Sequence, residues 1–123
     1  MRFAPILLCW SVLCFAAEPA RKLKVFILAG QSNMEGQSVV DLTGRDYNEG
    51  KGTLVEVMAR PGNAERYAHL RDKDGKWVVR QDVWVRYQRE KQPLLAGGLS
   101  VGYAVYGGKH HFGPEYQFGH VVG

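Results

Sequence analysis

The sequence predicts an α/β domain organised on a parallel sheet. Three features carry that expectation. Val25-Phe26-Ile27-Leu28-Ala29 is an unbroken apolar run rich in strand formers, and a run without alternation suits a strand covered on both faces, as in a parallel sheet. Gly30 ends the run, and a tight polar turn, Gln31-Ser32-Asn33-Met34-Glu35-Gly36, follows it. Near the other end, Gly113-Pro114-Glu115 reads as a helix start. Proline at the first helical position gives up only a donor that would have no partner there, and a glutamate in the first turn suits the helix dipole.

Composition sets the outer bounds. The chain has 123 residues, 46% hydrophobic and 23% charged, which is the balance of a single globular domain and excludes disordered and collagen-like classes. Its net charge of +4 comes from 16 Lys+Arg against 12 Asp+Glu. The two signs are interspersed and no basic cluster forms, so no nucleic-acid partner is expected. Arg2 opens a charged start, and Phe3 to Ala17 then runs without a charge. That run is too short to cross a bilayer, which takes roughly 18 apolar residues, and it ends in small residues, as an export signal does. We therefore expect a signal peptide over residues 1–16, a single domain over 17–123, a secreted or periplasmic location and no membrane span. Cys9 and Cys14, the two cysteines, both fall inside the signal. The rest of the chain can form no disulfide and no cysteine-based zinc site.

Between the two ends the elements follow in order. Glu18 to Lys24 is a polar lead-in, and Gln37 to Gly52, with its Asp, Asn, Gly and Thr residues, reads as loop. Leu54 to Met58 is a short strand or helix piece. Asp72-Lys73-Asp74-Gly75 is a hairpin turn signal. Lys76 to Tyr87 reads as two short strands broken near Arg80-Gln81-Asp82, with Val83, Val85 and Tyr87 alternating against Trp84 and Arg86. Leu94 to Lys109 is an irregular connection or short strand. Eight of the 15 glycines lie between Gly97 and Gly123, which makes that end rich in loops.

The chemistry concentrates at Ser32. A strand that runs out into a glycine turn presents the serine at the carboxyl end of a sheet, where ligands collect in open α/β folds. Unpaired amides at the start of a following helix would face the serine oxygen and stabilise developing negative charge. Those are the requirements of a serine nucleophile with part of an oxyanion hole. The plain alternative is a strand followed by a Ser/Asn-capped helix. The segment is not the Gly-x-Ser-x-Gly elbow, because Met34 holds its last place.

Gly30-Gln31-Ser32-Asn33-Met34-x-Gly36 after an apolar strand resembles the first motif of the sialate O-acetylesterase-like family, a branch of the SGNH-type esterases that includes carbohydrate acetyl esterases. Phe112-Gly113-Pro114-Glu115-Tyr116-Gln117-Phe118-Gly119 resembles a second, Gly-Pro-Glu-x-x-Phe-Gly, segment of that family. The resemblance implies a three-layer α/β/α, flavodoxin-like fold on a parallel sheet. It implies removal of acetyl groups from sugars by Ser32 through an acetyl-serine, without a cofactor or metal. Gly30, Gln31, Asn33, Gly113 and Glu115 would support the oxyanion hole and the nucleophile turn. The expected partner is acetylated carbohydrate.

The family's C-terminal Asp-x-x-His has no counterpart. Three residues before His69, His110, His111 and His120 stand Arg66, Gly107, Gly108 and Gln117. The chain is therefore expected to be the N-terminal portion of such a domain, with an incomplete sheet and little activity alone, since a serine without its base is a weak nucleophile. The rival expectation is a secreted carbohydrate-binding or structural module on the same scaffold. A dyad of Ser32 with His69 or His120 is a remoter option. His110-His111 makes a poor metal pair because adjacent side chains point apart. Asp72-x-Asp74-Gly75 lacks the later positions of a calcium loop, and Gly102 to Lys109 misses the P-loop spacing. Trp77, Trp84 and Tyr87 read as packing residues before they read as a sugar platform.

Overall fold

A computed structural model describes residues 22–123; the export signal read over residues 1–16, with Cys9 and Cys14, lies outside the described residues. Strand β1 (Ser38–Val39) is followed by a 3-10 turn at Arg45–Gly50, helix α1 (Leu54–Ala59), helix α2 (Ala64–Tyr67) and a second 3-10 turn at Ala68–Leu70. Strands β2 (Arg80–Tyr87), β3 (Leu95–Leu99) and β4 (His111–Phe112) come next, and helix α3 (Pro114–Val122) closes the order. β1 pairs antiparallel with β4, Ser38 opposite Phe112 and Val39 opposite His111. β2 pairs antiparallel with β3, from Trp84 opposite Gly98 to Tyr87 opposite Leu95.

This architecture corrects the expected fold class. The described residues form two small antiparallel sheets, not the parallel sheet of a three-layer α/β/α, flavodoxin-like domain. The run Val25–Ala29 is no strand of either sheet. Val25 is 74% exposed and Ile27 89%, and no backbone hydrogen bond joins residues 22–30 to another described segment. An apolar run becomes a buried strand only when neighbours pair its two edges and layers cover its two faces. Among the described residues its one aromatic contact is Phe26 edge-on to Phe118 of α3, with centroids 5.2 Å apart. The sequence pattern records what the segment is suited to bury, whereas burial itself depends on partners elsewhere.

Elsewhere the local chemistry explains the elements. α1 forms because Thr53 caps it. The Thr53 Oγ1 accepts from the Glu56 amide at 3.3 Å and donates to the Gly50 carbonyl at 2.9 Å, which satisfies an orphan donor of the first turn. The Glu56 carboxylate accepts from the Gly52 amide and binds Arg60 one turn on, at 2.6 Å. The Arg60 guanidinium holds the Glu56 carboxyl down to about 2. At Asp72 the side-chain Oδ1 accepts from the Asp74 and Lys76 amides at 2.9 and 2.8 Å, and Arg71 pairs across the turn with Trp77. The Asx geometry is the reason aspartate starts such turns.

β2 is one strand rather than two. The disturbance near Arg80-Gln81-Asp82 is a bulge, since Arg80 faces Leu99 and Trp84 already faces Gly98. Past the bulge, Val83, Val85 and Tyr87 turn inward while Trp84 stands 66% exposed. The core gathers Val40, Leu70, Leu99, Val101 and Tyr116. α3 reaches it through Gly119: a β-carbon there would come within 2.7 Å of a Leu99 methyl.

Because Ile27 is already in water, Ile27→Lys should leave the urea unfolding free energy unchanged within about 0.5 kcal/mol. It should also lower the fluorescence of a dye that binds exposed apolar surface. A loss of about 2 kcal/mol or more, the size expected for a core side chain, would show that Ile27 is buried.

Candidate functional site

Gln31 to Gly36 make a hydrogen-bonded turn rather than the start of a helix. The Gln31 carbonyl accepts from the Met34 amide at 2.6 Å and from the Glu35 amide at 3.3 Å, and the Asn33 carbonyl accepts from the Gly36 amide at 3.3 Å. The Ser32 and Asn33 amides donate to no backbone carbonyl among the described residues. Gln31, Ser32 and Asn33 are exposed. Gly30 leaves room for the Met34 side chain, which would stand 2.6 Å from a β-carbon there.

The far half of the turn is anchored. Gly36 has φ +76°, a left-handed conformation that glycine adopts without a Cβ penalty. A β-carbon on Gly36 would lie 2.8 Å from the Gly113 amide nitrogen and 2.9 Å from the Gly113 Cα. The Gly36 carbonyl accepts from the Val105 amide at 3.1 Å, and the Tyr87 hydroxyl donates to the Glu35 carbonyl at 2.7 Å. Arg89 reaches the Glu35 carboxylate at 3.5 Å and donates to the Val105 carbonyl at 3.1 Å. The serine is thus presented to solvent on a turn held from behind by β2, by the loop after β3 and by the start of α3.

Gly113 and Glu115 lie on the other side of that contact. The Glu115 carboxylate accepts from the Gly113 amide at 3.2 Å, which caps α3 from its own first turn and complements the dipole there. Burial pushes the Glu115 carboxyl above its ordinary 4.5, against the pull of the Gly113 amide and its own. Burial also raises the Tyr87 and Tyr103 hydroxyls, and the Glu115 charge adds to the rise in both. Glu115 is therefore a partly desolvated acid at the start of α3.

No histidine hydrogen-bonds Ser32 among the described residues. His69 and His120 pack on each other, with centroids 5.0 Å apart, at the opposite end of α3 from Gly113. His111 is buried between Tyr106 and Tyr47, and desolvation lowers its imidazole. His110 Nδ1 stands 2.7 Å from Asp41 Oδ1, the contact by which a carboxylate orients a catalytic imidazole. A search for aspartate three residues before a histidine misses this pair, because the two residues are 69 apart in sequence. Its place is wrong for Ser32. Asp41 and His110 lie past one end of the β1–β4 ribbon, and Gly36 and Gly113 lie past the other. Trp77, Trp84 and Tyr87 make no common platform: Arg71 covers the Trp77 ring at 3.3 Å, and Trp84 and Tyr87 occupy opposite faces of β2. No group of three or more His, Cys, Asp or Glu side chains that could hold a metal ion is found among the described residues, and no described helix is long and apolar enough to cross a membrane.

Comparison with protein-family models, with curated proteins and with solved structures finds no match to this chain.

Two measurements test the anchored turn. Gly75 has φ +74° with open space around it, so Gly75→Ala carries only the left-handed penalty of about 1–2 kcal/mol. Gly36→Ala carries that penalty and the collision with Gly113, and should lose clearly more stability in urea unfolding. Equal losses would show that the two backbones do not touch. Glu115 supplies the second test. Its folded pKa is raised, so the stability linked to it is full below the unfolded value and is lost as pH rises through the folded value. Glu115→Gln keeps an acceptor for the Gly113 amide and should flatten the fall in stability above pH 4.5. An unchanged pH profile would show that Glu115 is solvated.

Proposed function

We propose that this chain belongs to an exported serine esterase that removes O-acetyl groups from carbohydrate, with Ser32 as the nucleophile. One observation carries the reading. The two segments that resemble esterase motifs, 77 residues apart between Gly36 and Gly113, meet backbone to backbone at those glycines. The serine stands in solvent at the open side of that junction. In the reaction, the Ser32 Oγ attacks the acetyl carbonyl carbon, and the Ser32 and Asn33 amides receive the charge that develops on the carbonyl oxygen. The bond to the sugar oxygen breaks, the sugar leaves as its alcohol with the proton from Ser32, and acetyl-serine remains. Water then attacks the acetyl group, releasing acetate and restoring the hydroxyl.

The proton transfers need a base, and no described imidazole lies in hydrogen bond with Ser32. A serine hydrolase stripped of triad members retains about 10³- to 10⁴-fold acceleration over water. The described chain should stay at or below that level. This same observation favours a second reading, a module that holds acetylated carbohydrate without cleaving it.

Hydrolysis of 4-nitrophenyl acetate by the full chain is therefore expected to be slow, with an acetyl group on Ser32 that mass spectrometry detects and Ser32→Ala abolishes. Turnover with no acetyl group on Ser32 overturns Ser32 as the nucleophile. Titration with an acetylated xylo-oligosaccharide, followed by amide chemical shifts, separates the two readings. Slow turnover tied to Ser32 supports the esterase. Binding at the Ser32–Gly36 turn with no turnover at all, and with affinity unchanged in Ser32→Ala, supports the module.

A further inference from the structure

The end of α3 remote from Ser32 carries a second constellation. The His120 Nε2 is buried and has no hydrogen-bond partner among the described residues. The ring is fixed by its neighbours. Tyr116 meets it edge-on, 5.0 Å away at 87°, and the His69 ring stands 5.0 Å away at 66°. A neutral imidazole tolerates this place, because its proton can sit on Nδ1 and leave Nε2 a bare lone pair. An imidazolium does not, because both ring nitrogens are then donors. Its Nε2–H would be a charged donor, buried and without an acceptor, which is the costly state for a polar group.

The charged and titratable groups around the ring supply no acceptor. On β2, Arg80 is itself a cation and donates to the Gly119 and His120 carbonyls at 3.2 and 3.5 Å. The Asp82 carboxylate beside it is taken by two arms of the Arg80 guanidinium, at 3.1 and 2.5 Å. The second 3-10 turn presents His69, another imidazole. Within α3, burial pushes the Tyr116 hydroxyl up to about 12 against the pull of Arg71, so that group stays neutral. The carboxyl end of a helix favours a cation, and Asp82 pulls the same way. Burial first, and then His69 and Arg80, outweigh them and hold the His120 imidazole below its ordinary 6.5.

α3 is unevenly seated. Its buried residues are Tyr116 and Gly119, while Gln117, Phe118 and Val121 are exposed. Tyr116 in the core and the Glu115 cap fix the amino half. The carboxyl half rests on Gly119 against Leu99, on the Arg80 hydrogen bonds and on His120. A segment with so few buried apolar contacts opens before the rest of a fold. We propose that His120 is an acid latch: its neutral ring keeps residues 117–123 seated, and its protonation frees that half of α3 while residues 113–116 stay in place. The way out for the ring is the cavity of about 410 Å³ that it lines with His69, Val78, Arg80, Gln117 and Val121. Phe118 leaves with it, and Phe118 carries the contact to Phe26, so release uncovers further apolar surface.

Amide hydrogen exchange and ring titration, followed by NMR on the full chain, test it. The folded imidazole lies below 6.5, so the seating linked to it is complete above that value and is lost as pH falls below it. From about pH 7.5 to about pH 5, protection of the amides of residues 119–123, corrected for intrinsic exchange, should fall toward a limit of about tenfold for each pH unit separating the folded and unfolded values. The fall should follow the His120 ring resonances, while the amides of the β2–β3 ladder at residues 85–87 keep their protection. His69→Gln, at an exposed position, removes one opposing charge and should move the midpoint up without abolishing the step. His120→Phe keeps a ring against Tyr116 and takes no proton, so the step should vanish. A step that persists in His120→Phe, ladder protection lost at the same pH, or a His120 ring that titrates with no change in protection overturns the proposal. The last two are read on the unsubstituted chain and stand whether or not a variant folds.

Discussion

The contact between Gly36 and Gly113 is the constraint on which the rest of this structure turns. A β-carbon on Gly36 would collide with the Gly113 backbone at 2.8–2.9 Å, and one on Gly113 would crowd the Gly36 Cα at 3.1 Å and the Glu115 carboxylate. Gly36 must in addition hold φ +76°. From that point β1 and β4 run away together as a ribbon, while α3 starts just past it under the cap of Glu115. The same contact fixes where the serine turn can sit. Tyr87, Arg89 and Val105 then fasten the turn to β2 and to the loop after β3. A side chain at Gly36 would push against the Gly113 backbone from a left-handed conformation, so this glycine is the one the junction depends on most.

The legible features are those decided within a few residues. The Asp72 turn depends on an aspartate oxygen reaching amides two and four residues on, and the α3 start depends on proline and a first-turn glutamate. The alternation in β2 past its bulge follows the two-residue period of a strand. Leu54 to Met58 left helix and strand open because five residues are too few for either period to show; Thr53, one residue earlier, decides it by capping. Asp41 and His110 were out of reach because nothing near either residue names the other. The parallel sheet failed for a related reason. Val25–Ala29 carries the composition of a doubly covered strand, but composition states a preference, and pairing is a property of other segments. The Ser32 turn itself was readable from Gly30 and the polar residues after it, whereas its anchors on Tyr87 and Arg89 were not.

Exposure of the 22–30 segment shapes how the chain behaves in water. Leu23, Val25, Phe26, Ile27 and Leu28 all lie at the surface beside backbone groups with no backbone hydrogen bond among the described residues. Each such side chain in water forgoes a burial worth about 1.5–3 kcal/mol. The amides and carbonyls, being hydrated, carry no penalty of their own. The two halves of the segment's chemistry therefore pull differently: the backbone is content in solvent and the side chains are not. Lys22 and Lys24 oppose casual strand pairing by charge, which is how open edges are commonly protected.

That imbalance bears on the serine directly, since Ser32 follows the uncovered run by two residues. The turn is anchored by hydrogen bonds and a backbone contact on its Gly36 side, and no hydrogen bond among the described residues anchors it at Gly30. A nucleophile needs the opposite end held as well, because its attack geometry tolerates errors of only about half an ångström. Covering Val25–Ala29 would fix the entry to the turn, and with it the direction of the Ser32 side chain. On the esterase reading proposed above, the lack of a base at Ser32 among the described residues and the uncovered Val25–Ala29 run express one deficiency. The anchored half of the site can position a serine along the chain, but orienting its oxygen and taking its proton both call for packing on the side of the turn that now faces water.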